Sequence, residues 1–132
     1  VKILSNQNFY DFDVDIYAPC ALGSTLNPFT INRLKCSVVA GAANNQLEDE
    51  LRDSELLMKK GILYAPDFLI NAGGLINVYS ELNGYDKDAA LKQTSDIYNT
   101  TLNIFKTSEI EKVNTHVTAL KIAQVRINKN KK

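Results

Sequence analysis

Three apolar runs in this sequence break off on small residues. They are "YAPCALG" (Tyr17 to Gly23), "VVAGAANN" (Val38 to Asn45) and "APDFLINAGGLINV" (Ala65 to Val78). Each run is strand-like, and segments with helical features lie between them. Alternating strands and helices argue for an α/β fold with a mostly parallel sheet flanked by helices. Right-handed crossovers then bring the ends of the parallel strands to one edge. Ligands of open α/β sheets bind outside those carboxyl ends, so the three small-residue clusters sit where a crevice is expected.

Reading along the chain, "VKILS" (Val1 to Ser5) is a short strand and "NQNFYDFD" is a loop or turn. Val14 to Cys20 has the branched and aromatic content of a strand. Pro28 opens a short helix. "CSVVAGAA" is apolar enough for a strand covered on both faces. "LEDELRDSELLMKKG" reads as a helix with Leu47, Leu51 and Met58 on one stripe and Gly61 closing it. "ILYAPDFLIN" reads as a strand interrupted by Pro66, and "LINVYSEL" as a helix that resumes after the glycines. Asp86 caps a long helix to about Ser108 with Leu91, Tyr98, Leu102 and Phe105 on one face. A last helix spans about Val117 to Ile127 and carries Leu120, Ala123 and Ile127, leaving residues 128–132 as a solvated tail.

The chain has 132 residues, the size of one domain. Fifteen basic and 15 acidic residues balance, so nothing in the charge points to nucleic acid or membrane. No apolar stretch approaches the roughly 18 residues of a membrane span, and no signal peptide is visible. The chain opens on Val1, inside a strand-like segment, so a larger parent protein is expected. Cys20 and Cys36 both lie among apolar residues and read as buried free thiols of a reducing compartment, with a cytoplasmic location expected. His116 is the one histidine and no metal-ligand spacing occurs, so no metal is expected.

At the strand ends, Asn44, Asn45 and Asn71 offer side chains that both donate and accept hydrogen bonds. A nicotinamide carboxamide carries the same donor and acceptor pair. Gly73 and Gly74 remove two Cβ atoms and bare the N-terminus of the next helix, which favours an anion. The competing reading is that glycine and asparagine merely make turns there. None of the six glycines forms a G-x-G-x-x-G turn, so the chain is not a complete dinucleotide-binding domain of the usual kind.

"DIYAPCALGSTLNPFTI", "VVAGAANNQL", "GILYAPDFLINAGGLINVYSELNGYDKDAAL" and "IYNTTLNIF" together resemble the C-terminal part of the glutamate/leucine/phenylalanine/valine dehydrogenase family, its leucine dehydrogenases above all. The resemblance runs from about Val14 to Ile127. It implies the C-terminal part of a Rossmann-like NAD-binding domain over residues 1–127, with C-terminal helices. It implies reversible NAD-dependent oxidative deamination of branched-chain amino acids to 2-oxo acids and ammonia. Cys20, Ala21, Leu22 and Gly23 would then lie along the cofactor. Asn44 would contact the nicotinamide ribose region, Asn45 would face the reaction centre near substrate, and Asn71 would hold or order the carboxamide. Leu75 and Val78 would line the pocket for the substrate side chain.

The family's two active-site lysines, its catalytic aspartate and its phosphate turn belong to a preceding region, and no residue of this chain matches them. No catalytic residue is therefore assigned here. The missing N-terminal catalytic domain becomes an expected partner, with a homo-oligomeric parent enzyme, and the chain is expected to be inactive alone. A second reading stays open: a stand-alone, non-catalytic α/β interaction or regulatory module derived from that fold.

Overall fold

The computed structural model describes residue 3, residues 9–82 and residues 84–130. Apart from Ile3, the strand expected over residues 1–5 lies outside the described residues. Three strands pair in parallel in the order β1-β2-β3: β1 is Ile16–Tyr17, β2 is Val38–Val39 and β3 is Leu63–Tyr64. The register sets Ile16 beside Val38 and Val38 beside Leu63. Helices connect the strands, so the α/β parallel architecture read from the alternation is the one observed. The ladders are two residues each, much shorter than the apolar runs that carry them.

Helix α1 (Pro28–Arg33) joins β1 to β2. Asn27 caps it by accepting from the amides of Phe29 and Thr30, and the Asn27 backbone amide donates in turn to the Thr30 hydroxyl. Such a cap stabilises a helix by about 1 kcal/mol. Helix α2 (Glu50–Lys59) joins β2 to β3, with Asp49 as its cap. Gly61, at φ 74°, closes α2: its amide donates to Met58 O and that of Ile62 to Leu57 O. The side chain of Lys60 then reaches across to the last carbonyls of α1, Ile31 O at 2.8 Å and Asn32 O at 2.6 Å.

The core is Leu26, Ile31, Leu34, Cys36, Val39, Leu47, Leu57, Ile62 and Tyr64. On α2 the buried positions are Asp53, Ser54 and Leu57, whereas Leu51 and Met58 are exposed. The expected stripe is thus rotated. Asp53 turns inward because it accepts from the Asp49 amide at 2.8 Å and from Arg52 at 2.8 Å, a buried polar end to the helix rather than an apolar one. Cys36 is buried as expected, but Cys20 is exposed, because β1 ends before it and the loop carrying it runs outward.

The run "ILYAPDFLIN" is not one strand. β3 stops at Tyr64, and α3 (Asp67–Ile70) begins two residues later. Ala65 makes the last ladder bond, to Val39 O at 2.9 Å. Pro66 has no amide to continue the ladder, and its own carbonyl accepts from Leu69 and Ile70. Helix α4 (Gly73–Leu82) follows, starting on the two glycines. Helix α5 (Lys87–Glu111) is capped by Asp86, as the sequence predicts. Helix α6 (Thr115–Asn130) packs on α5, α2 and β3. It continues through residues expected in the tail, and Asn128 and Lys129 are exposed on it.

The faces of α5 and α6 also differ from expectation. Leu91, Tyr98, Leu102, Leu120 and Ile127 are exposed, while Ala90, Ile104, Thr118 and Ala119 are buried. Among the described residues, no helix is long and apolar enough to cross a membrane.

Gly41 has a packing role that the strand-end pattern alone did not reveal. A Cβ on it would lie 2.1 Å from Pro19 O and 2.4 Å from Pro19 N, both backbone atoms. Gly74 is the contrast, since a Cβ there meets nothing within 4 Å. Gly41→Ala is expected to lower the unfolding free energy by about 3 kcal/mol or more. Gly74→Ala is expected to raise it by up to about 1 kcal/mol through helix propensity. Urea denaturation of both variants checks this; equal midpoints would mean the Gly41–Pro19 approach carries no packing constraint.

Candidate functional site

The loops after β1 and β2 are stitched together at the sheet edge by backbone bonds. Ala43 N donates to Pro19 O at 2.9 Å, Ser24 N to Asn45 O at 2.7 Å and Leu26 N to Gln46 O at 3.0 Å. Gly23 is needed for this approach, because a Cβ on it would sit 2.9 Å from the carbonyl oxygens of both Asn44 and Asn45. Cys20, Ala21, Leu22 and Gly23 are all exposed along this loop. The Cys20 thiol accepts from the Ala42 amide at 3.4 Å.

Asn44 and Asn45 are exposed in the turn after β2. Asn45 has φ 51°, a left-handed backbone that asparagine tolerates better than other side chains. The turn reading of this residue therefore has a physical basis in addition to any ligand role. Asn71 caps the end of α3. Its amide nitrogen donates to Asn44 Oδ1 at 2.6 Å and to Ala42 O at 3.3 Å. The Ala42 carbonyl can only accept, which fixes which way round the Asn71 amide sits. Asn71 Oδ1 and the Asn44 amide group are left pointing to other partners, one acceptor beside one donor. The structure thus joins Asn44 and Asn71 directly.

Leu75 and Val78 follow on α4, 71% and 57% exposed. Three positions apart, they share one side of that helix. No buried residue occurs anywhere on α4; Leu75, Val78, Tyr79 and Leu82 are exposed and Ile76 is half-buried.

Beneath the loops lies a polar cluster that sequence reasoning missed. The Gln46 side chain is fully buried, and its amide nitrogen donates to Gly41 O at 2.7 Å and Ala43 O at 2.9 Å. The Gln46 backbone amide donates to Asp67 Oδ2 at 3.2 Å. Asp67, Glu50 and His116 complete the cluster, each from a different helix. The Pro66-Asp67 pair is a helix-start signal that could have exposed both α3 and Asp67. Nothing local marks Gln46 or His116.

Burial, and next the charge of Asp67, push the Tyr64 hydroxyl above its ordinary range, so it stays protonated. Burial raises the Cys36 thiol as well, which removes it as a nucleophile. Among the described residues, no group of three or more His, Cys, Asp or Glu side chains is placed to hold a metal ion.

Residues 1–132 match the family model described as Glutamate/Leucine/Phenylalanine/Valine dehydrogenase. The chain is 52% identical over 130 residues to an L-tryptophan dehydrogenase of Nostoc punctiforme, covering 98% of this chain and 37% of that protein. It is 48% identical over 123 residues to a leucine dehydrogenase of Thermoactinomyces intermedius, covering 93% of this chain and 33% of that protein. The crystal structure of L-tryptophan dehydrogenase from Nostoc punctiforme superposes with a TM-score of 0.90 at 54% identity, over 94% of this chain and 38% of that one. The chain spans about a third of the length of the curated relatives it matches.

The Asn44–Asn71 pair yields a direct test of the site's architecture. A double-mutant cycle of Asn44→Ala and Asn71→Ala is expected to give a coupling of about 0.5–1.5 kcal/mol in urea denaturation. Additive effects would mean the two amides act independently.

Proposed function

Because the chain belongs to the glutamate/leucine/phenylalanine/valine dehydrogenase family, we propose that it forms the cofactor side of an NAD-dependent amino-acid dehydrogenase. The overall reaction converts a branched-chain L-amino acid, NAD+ and water into a 2-oxo acid, ammonium, NADH and a proton. The observation that carries the reading is the edge where the loops after β1 and β2 meet Asn71. Three exposed or half-buried amides gather there beside the outward apolar side of α4.

The residues present suit the nicotinamide end of the cofactor. Asn71 Oδ1 and the Asn44 amide match the donor and acceptor of a carboxamide. Gly74, at the start of the following helix, borders open space. When bound, NAD supplies the acceptor for the hydride leaving the substrate α-carbon. Asn71 would orient the carboxamide, Asn44, bonded to it, would contact the nicotinamide ribose region, Asn45 would face the reacting groups, and Cys20 to Gly23 would line the cofactor through an exposed loop. Binding of the phosphates, and proton transfer by lysines and an aspartate, fall to a further domain of the complete protein. That protein is proposed to be a cytoplasmic homo-oligomer.

Leu75 and Val78 support an aliphatic substrate: both are branched, exposed and uncharged, so nothing on that side of α4 pairs an acidic side chain. An aromatic substrate is the second reading, favoured by the 52% identity to an L-tryptophan dehydrogenase.

In the complete protein, NADH formation is expected with leucine, valine and isoleucine, and the 132-residue chain by itself is expected to produce none. Absorbance at the NADH band, measured for both preparations, checks this. No turnover by the complete protein would favour a non-catalytic module, and a preference for tryptophan would favour the second reading. Shortening Leu75 to Ala is expected to move the leucine-to-phenylalanine ratio of kcat/KM toward phenylalanine by about tenfold or more. An unchanged ratio would remove Leu75 from the substrate pocket.

A further inference from the structure

We propose that His116 is a positioning residue for the loop that carries Asn44 and Asn45: one internal water joins its ring to Gln46 Oε1 and so fixes the amide that ties the loop.

Gln46 governs the conformation of the loop after β2. Its amide nitrogen holds Gly41 O and Ala43 O, which bracket the turn immediately before Asn44. The other end of that amide, Gln46 Oε1, is buried and has no protein hydrogen-bond partner. The His116 side chain is 3% exposed, and neither ring nitrogen has a protein hydrogen-bond partner either. The Glu50 carboxylate comes within 3.4 Å of Nε2 but outside hydrogen-bond geometry. Phe68 holds the ring edge-on, with centroids 5.6 Å apart and planes at 80°.

Gln46 and His116 line the same small cavity, with Asn45, Leu47, Glu50 and Asp67. About 10 Å3 of it is open to the centre of a water molecule. That is close to the roughly 10–15 Å3 one water needs, and the walls are polar enough to hold it. An amide oxygen and a carboxylate only accept, whereas a neutral imidazole presents one donor and one acceptor. A single water can donate to Gln46 Oε1 and bond the ring, giving buried polar groups on both walls a partner. Two independent orphan groups, on residues that line one water-sized space, carry this assignment. Helix α6, which carries none of the candidate ligand residues, thereby reaches the candidate site through Gln46.

The kinetic side of this inference rests on the dehydrogenase reading, and the structural side does not. In the complete protein, His116→Phe keeps the ring packing against Phe68 and removes both nitrogens. Amide exchange across residues 42–46, followed by mass spectrometry, is expected to quicken by about tenfold or more. The KM for NAD is expected to rise about tenfold while kcat changes by less than about threefold. His116→Gln, which can still bond the water, is expected to restore most of both. A high-resolution crystal structure of the wild type should show a water within hydrogen-bonding distance of Gln46 Oε1 and a His116 nitrogen. Its absence, or exchange and KM left unmoved by His116→Phe, overturns the proposal. If the wild type lacks dehydrogenase activity, the functional reading fails while the water and the exchange still decide this one. If His116→Phe does not fold, the wild-type water and the exchange of His116→Gln decide it.

Discussion

The arrangement of the sheet edge depends on a buried amide. Gln46 sits with its side chain wholly out of solvent, its amide nitrogen closing the loop after β2 onto itself through Gly41 O and Ala43 O. Its backbone extends the tie in two directions, accepting from Leu26 and donating to Asp67. Hydrogen bonds inside a protein stabilise modestly when made but cost heavily when one partner is left alone. A buried hub with several such bonds therefore favours a single loop conformation over alternatives. Asn44 and Asn45, on the same loop, inherit their positions from it.

The glycines show how packing and function divide one sequence pattern. Gly41 and Gly23 let two strand-end loops come within backbone contact, and a methyl group on either would collide with main-chain atoms. Gly74 borders open space, so stability gives it no reason to be glycine. Asn45 lies between the two cases, with a left-handed backbone and an exposed amide.

Much of the fold was legible locally. Pro28 at the start of α1, Asp86 before α5 and Gly61 after α2 are helix-end signals set by local backbone geometry and hydrogen bonding, which depend on near neighbours. The helix faces were less legible. On α2 the inward side is Asp53, Ser54 and Leu57, because Asp53 is stabilised by its own helix end and by Arg52. On α5 and α6, Leu91, Tyr98, Leu120 and Ile127 have helical spacing but face outward, while smaller Ala90 and Ala119 face in. Apolar periodicity identifies a helix, but which side meets the core depends on what else packs there. The strand read through Pro66 was too long for the same kind of reason: hydrophobicity continues past Tyr64, whereas the ladder needs an amide that Pro66 lacks.

The sequence by itself determined the α/β alternation, the Asp86 cap of α5 and the family. These follow from local hydrogen bonding, side-chain shape and long matching motifs. Only the tertiary structure decided that Asn71 bonds Asn44 across 27 residues, that Gly41 meets Pro19, and that His116 from α6 shares a cavity with Gln46. Those pairings join residues far apart in the chain. Their partners are chosen by the geometry of packed strands and helices, which no short stretch of sequence contains.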